Sequence, residues 1–184
     1  MTSGDDTRIL SGDPRDEPAI WSGFQLVTCF GLGYLRPASG TWGSLPPAFL
    51  AAVMILAGAD ARGWIYLSVI VGVLVLASGA VVLMGDRAEA RWGKDPSNVV
   101  ADEVAGMCIP LLLLPVAQMT TPGRTLIFIV AAFLLFRIFD VFKALAPPAE
   151  SLQKIRGGWG ILLDDLVSGL YALGGVWVID LLAP

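Results

Sequence analysis

Histidine is absent from the 184-residue chain. That absence removes the imidazole general base, the phosphohistidine intermediate and every His metal site. Cysteine is nearly as scarce: Cys29 and Cys108 stand far apart in sequence and make no disulfide framework. Charge is thin as well. Twelve Lys and Arg against sixteen Asp and Glu come to 15% of residues, where a soluble domain carries roughly 25%. The net charge of −4 offers no basic excess to nucleic acid, so no nucleic-acid partner is expected. What remains is apolar: 55% of residues are hydrophobic, and mean hydropathy is +0.72. That composition excludes both an ordinary soluble globule and a disordered chain.

Polar residue is concentrated at the start. Residues 1–20 hold seven charges and two prolines and read as a mobile tail. They are mostly acidic and lead into no apolar h-region, so they are not read as a signal peptide. Residues 21–184 then read as a single helical membrane domain. Its apolar segments are Leu45–Gly58, Trp64–Met84, Val99–Met119, Thr125–Leu145 and Ile161–Ala183. The second has 21 residues without a charge, enough to cross a ~30 Å hydrocarbon core. Others hold only short uncharged stretches, compatible with buried core helices. The expectation is an all-α, compact multi-helical membrane protein with about four to five apolar helices. Loops are expected at 59–63, 85–98, 120–124 and 146–160.

With five segments, the N-terminal region, 85–98 and 146–160 share one face. That face carries Arg8, Arg15, Arg36, Arg87, Arg91, Lys94, Lys154 and Arg156, against Arg62 and Arg124 opposite. The excess of Lys and Arg assigns the first face to the cytoplasm.

The unusual residues gather on that same face. Asp102 and Glu103 open the third segment, Arg137, Asp140 and Lys143 close the fourth, and Asp164 and Asp165 open the fifth. Gly40-Thr41-Trp42-Gly43-Ser44 enters the first from the same side. Ionisable groups within a membrane cost a few kcal/mol each unless paired, which makes them functional candidates. Arg137, Asp140 and Lys143, at i, i+3 and i+6, fall within about one third of a helix circumference. Asp102 and Glu103 point about 100° apart, so both reach one cleft only if it is wide or wet. Gly106 and Gly169, one turn beyond the acids, allow close helix approach.

Carboxylate in excess needs a cation, and oxygen ligands without His point to Mg²⁺ or Mn²⁺. Beside Arg and Lys, such a site suits phosphate ester chemistry. The Gly-Thr-Trp-Gly-Ser stretch is either an anion-binding run of backbone N–H groups or simply a turn into a helix. Phosphohistidine chemistry is excluded. Cys29 and Arg36 are one residue too far apart for a Cys-x5-Arg loop, no Asp-x-Asp nucleophile occurs, and the CDP-alcohol transferase signature is missing. A metal-activated water remains. Two other classes use similar residues: a small ion-coupled transporter and a non-catalytic membrane scaffold. Charges at one interface rather than at the midplane, and no repeat, speak against the transporter. A scaffold would tolerate carboxylate-to-amide changes.

Four stretches in order resemble the phosphatidylglycerophosphatase A family: GLGYLRPASGTWGSLP (31–46), DPSNVVADEVAGM (95–107), FRIFDVFK (136–143) and GGWGILLDDLVSGLYA (157–172). The resemblance implies a compact all-helical, Mg²⁺-dependent enzyme of the bacterial inner membrane, its active site facing the cytoplasm. It would hydrolyse the terminal phosphate of phosphatidylglycerophosphate to phosphatidylglycerol and inorganic phosphate. By motif, Asp102, Glu103, Asp140, Asp164 and Asp165 are the catalytic carboxylates. Asp102, Glu103, Asp164 and Asp165 hold the metal, and Arg137, Lys143, Thr41 and Ser44 bind the substrate phosphate. The lipid substrate and the bilayer are the partners implied, with no obligate protein partner. The family it resembles has Pro directly after this Lys and a second Pro close behind; here Lys143 is followed by Ala144-Leu145-Ala146-Pro147-Pro148, and the loop is one residue longer. That difference bears on headgroup selectivity.

Overall fold

The computed structural model describes residues 24–115, 121–152 and 154–182; the tail expected at 1–20 lies outside them. Among the described residues there are helices and no strand. They are α1 (Ser39–Leu56), α2 (Trp64–Trp92), α3 (Ala101–Leu112), α4 (Pro122–Val141), α5 (Ala149–Leu152) and α6 (Gly158–Leu182). Short 3-10 turns at Leu32–Tyr34 and Lys143–Leu145 precede α1 and follow α4. The five longer helices alternate in direction. The starts of α1, α3 and α6 and the ends of α2 and α4 therefore lie at one end of the bundle.

Local chemistry sets most boundaries. At α4, Thr121 accepts a hydrogen bond from Arg124 N–H at 3.3 Å and Pro122 takes the first helical position, where its missing N–H is harmless. At the end of α2, Gly93 adopts φ +95 and donates its N–H to the Glu89 carbonyl at 2.9 Å.

Three boundaries differ from the sequence reading. α1 starts six residues before Leu45, so Gly40–Ser44 lies inside its first turns rather than in an approach to it. α2 continues past Met84 to Trp92: Arg87, Glu89 and Arg91 are good helix formers, and Asp86 and Arg87 face outward. The loop expected at 85–98 therefore shrinks to the residues after Gly93.

The third difference concerns α3. Its twelve residues rise about 18 Å, too little to cross a bilayer alone. It is the central helix, touching α1, α2, α4 and α6, and nine of its residues are buried. An apolar setting leaves helix ends needing partners. At the start, Val100 and Ala101 N–H both donate to the Val27 carbonyl, at 2.8 and 3.1 Å. At the finish, the Tyr66 hydroxyl donates to the Leu111 carbonyl at 3.1 Å and the Trp177 indole to the Leu113 carbonyl at 2.9 Å.

α3 and α6 approach to backbone contact. A Cβ at Gly106 would stand 2.6 Å from the Asp165 carbonyl, and one at Gly169 would run into the Gly106 carbonyl. The close approach expected at these two glycines is therefore present. Gly85 and Gly158 do the same for α2 and α6. α1, α2 and α6 are long and apolar enough to cross a membrane. The outer surface exposes Phe49, Leu76, Leu83, Ile127 and Leu181, a composition suited to hydrocarbon.

Gly169→Leu is expected to destabilise the fold by at least about 1–3 kcal/mol through overpacking. Gly72→Leu, on an open face of α2, is the size-matched control. Thermal unfolding in detergent decides: equal midpoints for the two variants would contradict the close crossing.

Candidate active site

Three helices deliver the charged residues to one end of the bundle. The first turn of α3 carries Asp102 and Glu103, the end of α4 carries Arg137 and Asp140, and α6 carries Asp164 and Asp165. Lys143 comes from the 3-10 turn after α4. Asp102, Asp140, Asp164 and Asp165 are buried, and Glu103 is half-buried.

The two cations each take one carboxylate. Arg137 Nη1 donates to Asp140 Oδ2 at 2.6 Å, one helical turn away. Lys143 Nζ donates to Asp164 Oδ2. Burial would lower the Lys143 pKa, but the negative charges of Asp165, Asp164 and Asp140 outweigh it and hold the ammonium above its ordinary range. Lys143 therefore stays a cation.

Five acids less these two leaves Asp102, Glu103 and Asp165. They converge: each offers an oxygen, and the three lie within 4.8 Å of one another. Asp102 Oδ1, Glu103 Oε2 and Asp164 Oδ1 are buried with no hydrogen-bond partner among the described residues. Buried carboxylate oxygens without donors are costly unless a cation meets them. The trio could hold a divalent cation. Asp164, expected as a fourth ligand, has one oxygen engaged by Lys143 and is not among the three that converge.

The Gly-Thr-Trp-Gly-Ser stretch shapes this site chiefly by being small. A Cβ at Gly40 would meet Glu103 Oε1 and stand 2.9 Å from Arg137 Nη1. One at Gly43 would stand 2.8 Å from Val100 Cβ, just ahead of the acids of α3. Ser44 is fully buried; its hydroxyl donates to the Gly40 carbonyl at 2.7 Å and accepts from Arg137 Nη1 at 3.4 Å. Ser44 thus steers the guanidinium. Thr41 is half-buried in the first turn, and the N–H groups of Thr41 and Trp42 both bond the Ala38 carbonyl. Those two amides serve the helix, which favours the helix-entry reading of the motif over the anion-binding one.

Sequence reasoning passed over Asp86 and Glu89. Both accept from the chain entering α6: Gly158 N–H to Asp86 Oδ1 at 3.1 Å, and Gly157 N–H to Glu89 Oε2 at 2.9 Å. These are amides that a helix start leaves without internal partners. Gly157 holds φ +77, and a Cβ there would strike Asp86 Oδ1. The i, i+3 acids and the Gly-Gly pair were visible, but the segment read as a loop. Asp95 was passed over too. It is exposed at the site's edge with φ +49, and its charge acts on Asp102 and Asp164.

Asp86→Ala and Glu89→Ala are each expected to cost about 1 kcal/mol, one hydrogen bond to α6. Asn or Gln at these positions should restore most of it. Melting midpoints unchanged in both alanine variants would show that the tether carries no stability.

The family model for phosphatidylglycerophosphatase A matches residues 25–180. A provisionally named phosphatidylinositol-3-phosphatase of Bacteroides thetaiotaomicron is 35% identical, over 79% of this chain and 85% of that protein. Phosphatidylglycerophosphatase A of Haemophilus influenzae is 31% identical, over 84% and 86%. Phosphatidylglycerophosphatase A of Escherichia coli is 30% identical, over 86% and 87%. No solved structure matches the chain.

Proposed function

The chain belongs to the phosphatidylglycerophosphatase A family of phosphatases, and from that premise we propose that it hydrolyses the terminal phosphate of phosphatidylglycerophosphate. The products are phosphatidylglycerol and inorganic phosphate, the cofactor is Mg²⁺, and the site faces the cytoplasm at a bacterial inner membrane. One observation carries the reading: the carboxylates left over after ion pairing are the three that converge, directly beside Arg137 and Lys143. The excess of Lys and Arg at the site end of the bundle supports the orientation.

Asp102, Glu103 and Asp165 would hold Mg²⁺, with Asp164 adjacent. Bound there, the ion would supply Lewis-acid chemistry for the phosphoryl group and for a water. The chain's own residues do the rest. Arg137, aimed by Asp140 and Ser44, presents its guanidinium to two phosphate oxygens. Lys143 adds a point charge and exchanges part of its contact with Asp164 for the arriving phosphate. Asp164 Oδ1 is a buried acceptor for the proton of the attacking water. The water oxygen bonds to phosphorus, the bond from phosphorus to the glycerol oxygen breaks, and that oxygen takes up a proton.

A second headgroup has one observation in its favour. The Bacteroides thetaiotaomicron relative carries a phosphatidylinositol-3-phosphatase name at 35% identity. The loop after Lys143 is also where this sequence leaves its family's pattern.

Phosphate release from phosphatidylglycerophosphate in micelles should require Mg²⁺ and stop with excess EDTA. Asp102→Asn and Asp165→Asn should abolish turnover with melting midpoints retained; activity persisting in both would remove the trio from the chemistry. Lys143→Ala should raise KM roughly ten- to hundred-fold, the worth of a charged hydrogen bond, with a smaller change in kcat. Faster release from phosphatidylinositol 3-phosphate than from phosphatidylglycerophosphate would transfer the assignment to the second headgroup.

A further inference from the structure

We propose that the groove between α4 and α6 seats one acyl chain of the phosphoester lipid whose headgroup the charged cluster holds. The proposal rests on the lipid phosphatase reading above and extends it from the headgroup to the tail.

Two lines of side chains face each other along these helices. On α4 and the turn after it, Leu135, Phe139 and Lys143 recur every fourth residue. On α6, Asp164, Tyr171 and Gly175 recur at i, i+7 and i+11, one face of the helix. They meet rung by rung. Lys143 pairs with Asp164, the Phe139 and Tyr171 rings lie 5.5 Å apart, and the Leu135 side chain comes within 2.9 Å of a Cβ built at Gly175. The ionic rung is at the site end, and the rungs below it are apolar.

Beside this ladder opens a hollow of about 400 Å³, lined by Phe139, Leu170, Tyr171, Gly174, Gly175 and Val178. No charged side chain lines it. The one polar atom among those side chains, the Tyr171 hydroxyl, donates to the Pro147 carbonyl at 2.6 Å. The space is open at Gly174: nothing lies within 4 Å of where a Cβ there would stand.

Lengths along α6 match a tethered lipid. Leu170 to Val178 rises about 12 Å, the reach of an extended stretch of hydrocarbon. Asp164 to Leu170 rises about 9 Å, which leaves room for a headgroup between the bound phosphate and the tail. The tail of a lipid whose phosphate sits at Lys143 thus reaches this groove along the same two helices.

The test compares kcat/KM on dipalmitoyl and on dibutyryl phosphatidylglycerophosphate for the wild-type chain and for Gly174→Leu. Gly72→Leu, on an open face of α2, controls for an added side chain in the membrane surface. The long-to-short ratio should fall at least about three-fold in Gly174→Leu, because a tail pushed from the groove into surrounding hydrocarbon loses many small packing contacts rather than shelter from water. It should stay at the wild-type value in Gly72→Leu. Val178→Phe, at an exposed position, makes the same test if Gly174→Leu fails to fold. A ratio unchanged in the groove variants overturns the proposal and assigns the face to bulk bilayer lipid. An unchanged ratio with an altered oligomeric state by light scattering overturns it in favour of a second copy of the chain. A wild-type chain that hydrolyses neither lipid defeats the phosphatidylglycerophosphatase reading itself, and the groove assignment falls with it.

Discussion

Five carboxylates share one buried end of the bundle with two cations, and that imbalance governs the rest of the structure. Arg137 satisfies Asp140 and Lys143 satisfies Asp164. Asp102, Glu103 and Asp165 remain, drawn together although like charges at such distances repel. No fold places three acids this way for stability, because carboxylates out of water are costly without a compensating cation. The bundle therefore has to supply rigidity enough to hold an unfavourable arrangement.

Backbone contact supplies that rigidity. α3 is too short to span the bundle and is carried in its centre, its terminal amides bonded to Val27 and its terminal carbonyls to Tyr66 and Trp177. α6 locks onto α3 at Gly106 and Gly169 and onto α2 at Gly85 and Gly158. Asp86 and Glu89 tie down the two amides that open α6. Rotation of α6 about its own axis would turn Asp165 from the α3 acids and Asp164 from Lys143, so fixing that rotation fixes the site. The same construction frames a second feature: α4 and α6, which carry Arg137, Asp140 and Asp164, also line the apolar hollow beside Phe139 and Tyr171.

Much of the candidate site was legible before any coordinates. A charge inside an apolar run is conspicuous, and alternating segments send every such charge to one end, so Asp102, Glu103, Arg137, Asp140, Lys143, Asp164 and Asp165 could be grouped. The helical content followed from the same apolar runs. Less visible was whatever depended on charged residues continuing a helix. The last eight residues of α2 look like a loop by hydropathy, and Asp86 and Glu89 were hidden there. Gly40–Ser44 read as either an anion cradle or a turn into a helix; only packing shows that its glycines make room for Glu103, Arg137 and Val100 and that its serine steers Arg137.

The sequence by itself determined the class of molecule, the end of the bundle where the charged residues gather, and the excess of acid over base there. Composition and periodicity suffice for these, since they depend only on which residues sit in which apolar segment. Tertiary structure decided which acid meets which cation and which three are left to one another. It also decided that α3 is a short central helix and that a hollow opens at Gly174. Those outcomes turn on helix rotation and on interhelix distances set at Gly106, Gly169, Gly85 and Gly158, where the absence of a side chain lets backbones touch. A one-dimensional pattern shows that a glycine is present; only packing shows what stands against it.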